Sequence, residues 1–253
     1  MRLSRDVNRR VGRAMHDYAM LADGDRVLVA VSGGMDSLVL VWLLLHWRKK
    51  APIDYALEVV HVDMEPEGEA PGAAAIQTAD LVARFGVQVH IVPALWRPVL
   101  SGEGEDARGQ DLCFQCARSR RTQLFEHARQ TGCTKIAFGH HRDDIVETFL
   151  LNLTCAGNIS TMSPRQELFA GRLSLIRPLA YLDKSEIAAI GGELGLEPVR
   201  STCPLSERTR RGEMHQLAEH IYRQIPGAKE HIFAALGNVR LQYLLRQTGG
   251  RRP

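Results

Sequence analysis

Apolar positions along the chain change period several times, and each change predicts an element. The run 26-RVLVAV-31 is β-branched, is bounded by the turn-like 23-DGD-25, and reads as a buried strand. After a Ser-Gly-Gly turn comes 37-SLVLVWLLLHW-47, a Leu-rich run closed by Arg48, Lys49 and Lys50. It reads as a helix with its cations at the negative end of the dipole. The same patterning gives an amphipathic helix over 4–20, a strand at 55-YALEVVHVD-63, a helix over 73–85 and a strand at 87-VQVHIVP-93. A polar connection over 97–112 leads to a helix over 114–130, the strand 135-KIAFG-139 and the helix 143-DDIVETFLLNL-153. Strands alternating with helices predict an α/β fold built on a doubly wound parallel sheet, which binds ligands beyond the carboxyl ends of its strands. The tips after the first, second and fourth strands are SGGMDS, HVDMEP and GHHRDD, all polar. Beyond 155 the pattern loosens. An exposed loop is expected over 155–172, an extended piece at 174-SLIRPL-179, and a helix over 183–195 stopped by Gly195. From 213 onward the spacing is helical, including 231-HIFAALGNVRLQYLL-245.

Composition narrows the class. The chain has 253 residues, 45% of them hydrophobic and 24% charged, enough for one α/β domain with helical additions. No apolar run reaches membrane-spanning length and the N-terminus MRLSRDVNRR has no apolar signal region, so a cytoplasmic, reducing setting without membrane attachment is expected. Five cysteines in that setting read as thiols or metal ligands rather than disulfides. The net charge of +3 is mild, but arginines cluster at 2–13, 118–121, 208–211 and 240–252. Such patches suit a polyanion such as RNA and equally suit a solvated surface.

Three motifs carry candidate chemistry. The first is 32-SGGMDS-37, where a Gly-Gly turn between strand and helix exposes backbone N–H groups at a helix N-terminus, a site for phosphate. It is not a Walker loop, which needs G-x-x-x-x-G-K-[ST]. The second is 113-CFQC-116 followed by 117-ARSRR-121. Its spacing alone leaves a zinc site, a redox dithiol and an iron–sulfur site open, although zinc lacks a second C-x-x-C here. The third is 139-GHHRDDIVET-148, in which Asp143 and Asp144 open a helix. A carboxylate there caps free N–H groups or holds a cation, and His140 and His141 are strand-end residues or part of a site.

The six residues S-G-G-x-D-S resemble the PP-loop of the N-type ATP pyrophosphatases, which cleave ATP to AMP and pyrophosphate. That resemblance implies that Ser32, Gly33, Gly34 and Ser37 grip pyrophosphate and that Asp36 holds Mg²⁺ or orients the loop. It puts Val31, Asp63, Gly139 and His140 around the nucleotide. Over most of the chain, from 7-VNRRVGRAMHDYAMLADGDRVLVAVSGGMDS-37 through CFQCARSRR, 134-TKIAFGHHRDDIVETFLLN-152 and 176-IRPLAYLDK-184 to 233-FAALGNV-239, the sequence is similar to the TtcA-type tRNA 2-thiocytidine synthetases. The family resemblance implies a [4Fe–4S] cluster on Cys113, Cys116 and a third cysteine, here Cys203 in 201-STCPLSER-208. It also implies a tRNA substrate, a sulfur donor (a cysteine desulfurase or sulfide) and a homodimer. Two departures stand out: Ser206 replaces the second cysteine of a later C-x-x-C, and Met35 stands where the family commonly has lysine. The domain expectation is a basic helix over 1–22, a PP-loop domain over 23–200 carrying the C-x-x-C, and a C-terminal helical segment over 201–253 with the third cysteine and basic tail.

Activity follows as an expectation: adenylation of C2–O of an anticodon-loop cytidine by ATP, then replacement of that oxygen by sulfur. Asp36 and Asp143 are the expected catalytic carboxylates, with Lys135 and Arg120 stabilising charge, while Cys133 and Cys155 are incidental. The rivals are lysidine-type synthesis on tRNA, a PP-loop sulfurtransferase for a small molecule, and a non-catalytic RNA-binding or iron–sulfur protein.

Overall fold

A computed structural model describes residues 3–97, 106–199, 203 and 210–245; side chains of 106–111 and 211 lie outside the description. The expected strands and helices form, with these bounds: α1 Arg5–Asp17, β1 Asp25–Ala30, α2 Met35–Arg48, β2 Tyr55–Asp63, α3 Ala73–Ala83 and β3 Val89–Pro93. Then follow α4 Asp106–Thr131, β4 Lys135–Ala137, α5 Arg142–Cys155, β5 Arg165–Leu168, β6 Leu173–Ile176, α6 Lys184–Glu193, α7 Arg210–Gln224 and α8 Ala228–Leu236.

The sheet order is β3-β2-β1-β4-β6-β5, parallel except for the antiparallel edge strand β5. Alternate residues of each strand feed opposite faces, as the pleat requires. Val27, Val29, Val59, Ala137 and Ile176 join the core that holds α1 and α2. Leu28, Val60, Val62, Ile136 and Leu175 join the core under α4. Burial on both faces explains why β1 is a continuous apolar run rather than an alternating one. The chain order reverses between β1 and β4, so the switch point, where open α/β sheets bind ligands, lies at their carboxyl ends.

Three expectations change. Residues 165–168 form β5, not loop, because the tight turn at 169–171 lets them fold back on β6. α4 begins at Asp106, so the C-x-x-C lies inside a helix rather than before one; residues 98–105 of the expected polar connection lie outside the described residues. The helical spacing over 231–245 ends at Leu236, with Gly237 at the C-cap and a 3₁₀ turn at 241–243. The N-terminal helix is no separate unit in packing: Val7, Val11, Ala14 and Met15 are buried in the α2 core. α7 and α8 pack on α5 through Met214, Ala218, Ile232 and Phe233 around Val146 and Leu150. Among the described residues no helix is long and apolar enough to cross a membrane.

Candidate active site at the β1–β4 switch point

The loop after β1 is built as its sequence predicts. Gly33 takes φ +84°, a conformation open to glycine, and its Cα packs so closely on Thr78 and Val199 that a methyl group there would lie 2.6 Å from Thr78 Oγ1. Ser37 Oγ donates to Gly34 O at 2.8 Å and accepts from Ser32 N at 3.1 Å, tying the loop to the first turn of α2. Ser32 Oγ stands 3.3 Å from Ser37 Oγ. The N-cap of α2 is Gly34, without a side-chain cap, so the helix presents its amides and positive dipole end to whatever occupies the loop. That fits the pyrophosphate of ATP. Met35 turns away: a methyl group on Gly191 would lie 2.0 Å from its sulfur, so the thioether lies against α6. The Met35 departure is therefore a packing residue, apolar because its neighbour is a helix backbone.

The GHHRDD turn after β4 closes on this loop. A methyl group on Gly139 would lie 2.9 Å from the Asp36 carbonyl carbon and 3.0 Å from Ser37 N, so glycine permits the two turns to touch. Gly139 thus acts by close approach of backbones. The adjacent His140 is half-buried, its ring 5.6 Å from that of Phe138. His141 is the N-cap of α5, buried among three carboxylates. Its Nε2 lies 3.3 Å from Asp144 Oδ2 and 3.9 Å from Asp36 Oδ2, and its Nδ1 3.4 Å from Asp143 Oδ2. Burial pulls the imidazole pKa down, but the Asp143 carboxylate 3.4 Å from Nδ1 and the charges of Asp144 and Asp36 outweigh it and raise it. Asp36 is raised, chiefly by burial, with Asp144 and Asp143 adding and His141 opposing.

The two neighbouring aspartates of α5 separate in role. Asp144 caps the helix, its Oδ2 accepting from His141 N at 2.9 Å, and it faces Asp36 across the imidazole. Asp143 is clamped: Oδ1 meets Lys229 Nζ at 2.5 Å and Oδ2 accepts Lys184 N at 2.9 Å. Burial would raise it, yet His141, Lys229 and the Lys184 amide together hold its carboxyl far below the ordinary range. Asp143, expected as a catalytic carboxylate, bolts α8 and α6 onto α5.

Two further expected site residues have structural partners. Lys135 opens β4, and its Nζ pairs with Asp25 Oδ2 at 2.5 Å at the amino end of the sheet, opposite the loop. It is an ion-pair residue of that edge. Asp63 is buried, with Oδ1 accepting Glu65 N at 2.9 Å and Oδ2 accepting Gly72 N at 2.8 Å. It folds the acidic 64–72 loop rather than offering an open carboxylate to a nucleotide. Of the N-terminal arginines, Arg9 and Arg13 pair within α1, with Asp6 and Asp17, while Arg10 also pairs with Glu186 and so ties α1 to α6.

Two of the expected cysteine ligands lie on α4. Gln123 of α4 donates to Pro93 O and accepts from Leu95 N, which fixes that residue level with the carboxyl end of β3. Helix rise then carries Cys116 about 10 Å and Cys113 about 15 Å from it along α4, toward the start of that helix. The two are one turn apart, on one face. The Cys113 thiol is pushed up by burial, then by the neighbouring Cys203 and Cys116. All three are partly exposed, while Cys133 is buried beside Glu58 and Cys155 is exposed at the end of α5. Three thiols near one another are a soft donor set that fits an iron–sulfur group. Among the described residues no three or more Cys, His, Asp or Glu side chains close around a metal position. Ser206 lies outside the described residues. Sequence reasoning left His141 and Lys229 without roles, and Arg177, quoted only within IRPLAY, without one too; a buried cation at a strand end is the signal it passed over.

Residues 3–201 match the PP-loop domain family. The tRNA-cytidine(32) 2-sulfurtransferase of Pelobacter propionicus is 36% identical over 247 residues, 97% of this chain and 90% of that protein. The protein of that name from Xanthomonas euvesicatoria is 36% identical, covering 98% of this chain and 80% of its own. Among solved structures, the U34-tRNA thiolase NcsA from Methanococcus maripaludis with its [4Fe-4S] cluster superposes with a TM-score of 0.70 at 20% identity, over 94% of this chain and 80% of that one, a likeness of fold. With the glycine-lined loop and the GHHRDD turn meeting at the switch point, and with these relatives matched over 90% and 80% of their length, the chain belongs to the PP-loop family of tRNA-cytidine 2-sulfurtransferases.

Proposed function

We propose that this protein is an ATP-dependent tRNA thiolase that replaces O2 of an anticodon-loop cytidine with sulfur. The observation that carries the reading is the seating of Gly139 on the Asp36–Ser37 backbone. It joins an uncapped, anion-accepting helix start to a pair of carboxylates at the carboxyl end of the sheet.

The cytidine O2 is a poor leaving group. Attack of O2 on the α-phosphorus of ATP makes it part of AMP and expels pyrophosphate, whose growing charge falls on the Gly33–Gly34 amides, Ser32 and Ser37. Asp36 and Asp144 would hold Mg²⁺, which supplies charge neutralisation on the phosphates. His141 between them fixes their orientation, and burial of its ring excludes water there. Sulfur then adds at C2 and AMP departs. A [4Fe–4S] cluster on Cys113, Cys116 and Cys203 would supply a holder for that sulfur, three ligands leaving one iron open. The exposed Arg118, Arg120 and Arg121 on the same helix would meet the RNA backbone.

The test is anaerobic incubation of the reconstituted protein with tRNA, MgATP and a sulfide source, followed by nucleoside mass spectrometry. Formation of 2-thiocytidine that stops without ATP is the expected result; thiolation of free nucleotides with none on tRNA would replace this reading with the small-molecule one.

A further inference from the structure

Among the described residues, Arg177 is a buried cation that neither the chemistry above nor an ion pair with a carboxylate uses. Arg177, directly after β6, is 6% exposed. Its backbone N–H donates to Pro164 O at 2.8 Å and its Nη1 donates to Ser163 O. Its Nε is buried with no partner, and among the described residues no carboxylate pairs with the guanidinium. A polar cation withdrawn from water with an idle donor is costly, so a fold that keeps it there keeps it for a ligand or a second structural duty. Burial and the charge of Arg121 pull its pKa down to about 10, with Asp144 opposing, so it stays charged at neutral pH.

Its location narrows the ligand. Phe138 N donates to Ile176 O at 3.0 Å, which sets Arg177 level with the start of the GHHRDD turn at the carboxyl end of the sheet. Arg121 approaches from α4, two residues before the Gln123 that ties this helix to β3, and it is exposed. The charge of Arg121, from a separate element, acts on Arg177, and among the described residues no ion pair with a carboxylate is seen for Arg177. Mutual repulsion in that arrangement is relieved by an anion shared between them. The loop that suits ATP follows β1, and β4 lies between β1 and β6, so Arg177 stands about 10 Å aside from it at normal strand spacing. The anion is therefore a group of the second substrate.

We propose that Arg177 and Arg121 together bind one backbone phosphate of the RNA beside the nucleotide to be thiolated, setting the register in which that base enters the cavity. The inference rests on tRNA thiolation being the activity. Phosphate is recognised by the fork of a guanidinium, which an ammonium does not reproduce, so Arg177→Lys is expected to behave as a loss despite keeping the charge.

The experiment compares the full-length wild-type protein, Arg177→Lys and Arg177→Met for tRNA affinity across salt concentrations, for MgATP affinity by equilibrium dialysis, and for thermal midpoint. A wild-type arm uses anticodon stem-loop RNAs carrying a single methylphosphonate walked along the loop, which needs no variant to fold. Expected are tRNA binding about tenfold weaker in both variants, a salt slope reduced by about one contact, and MgATP affinity within about twofold of wild type. One methylphosphonate position should weaken wild-type binding and leave Arg177→Lys unchanged. Loss of MgATP affinity with tRNA affinity intact would assign the phosphate to ATP and overturn the proposal. A fall in thermal midpoint alone, or a methylphosphonate walk with no sensitive position, would overturn it in favour of a bolt on the Ser163 carbonyl. Failure of the wild-type protein to bind tRNA at all would overturn the thiolase reading itself.

Discussion

Replacing Gly139 with alanine adds one methyl group where two backbones already touch. The added carbon would sit 2.9 Å from the Asp36 carbonyl carbon, 3.0 Å from its oxygen and 3.0 Å from Ser37 N. Carbon contacts are favourable near 3.5–4.0 Å, so about 0.5–1 Å of separation must open between the two turns. None of the three atoms is the end of a flexible side chain; all belong to the loop and first turn of α2, which are themselves held by the Ser37 hydrogen bonds to Gly34 and Ser32. Overpacking of this kind costs about 1–3 kcal/mol. A shift approaching 1 Å between Asp36 on one turn and Asp144 on the other costs about 10²-fold in rate. Gly139 has no positive φ, so the effect is steric and not conformational. Urea unfolding and 2-thiocytidine formation by the folded protein read the two quantities separately. Gly192→Ala in α6 is the control: nothing lies within 4 Å of its added methyl, and it should stabilise the helix by about 0.5–1 kcal/mol with activity unchanged. Wild-type stability and rate in Gly139→Ala would refute the claim that the two turns are in contact.

Lys229→Met removes a cation shared by Asp143 and Asp183 at 2.5 and 2.8 Å, and should destabilise by about 3 kcal/mol at pH 7, the range for uncoupling a largely buried pair. Because folded Asp143 lies below its unfolded pKa near 4, its contribution is complete above that pKa and lost as pH falls through the folded value. Wild-type and variant stabilities should therefore converge in acid; a constant gap between pH 7 and pH 3 would show that Asp143 is not the group involved. Lys135→Met breaks the Asp25 pair at the amino edge and should cost about 3 kcal/mol while leaving the rate per folded molecule unchanged, so a fall in rate with intact stability would restore Lys135 to the site. Cys203→Ser should abolish the iron–sulfur absorption of the anaerobically reconstituted protein as completely as Cys113→Ser, whereas Cys133→Ser should not; a retained spectrum in Cys203→Ser would remove it from the trio.

What could be read from the residues, and what could not, divides along a physical line. The central strands were legible because β1, β4 and β6 are buried, so their apolar runs and turn signals report them directly, whereas the exposed edge strand β5 was not. The phosphate loop was legible because positive φ at Gly33 and close backbone approach leave only glycine. Carboxylate roles were not legible. Asp143 and Asp144 are adjacent in sequence, and which of them faces the cavity depends on Lys229, 86 positions away from Asp143 in the chain by its numbering. Lys135 misled for the same reason: its partner, Asp25, opens a different strand.

That dependence has a consequence for how the site is held together. Asp143 and Asp183 share Lys229 of α8, Arg142 pairs with Asp183, and Glu186 beside it takes Arg10 of α1. The helix that presents His141 and Asp144 is thus fastened by ion pairs to α8 and to Asp183 at the start of α6, and α6 in turn holds α1 through Glu186 and Arg10. Long-range pairs of this type leave no periodic trace, since neither partner is constrained by its own neighbours. They also explain why the terminal helices, which read as peripheral basic additions, pack as parts of the same body: without them the Asp143 carboxylate would be a buried charge with no cation, lying one residue from Asp144.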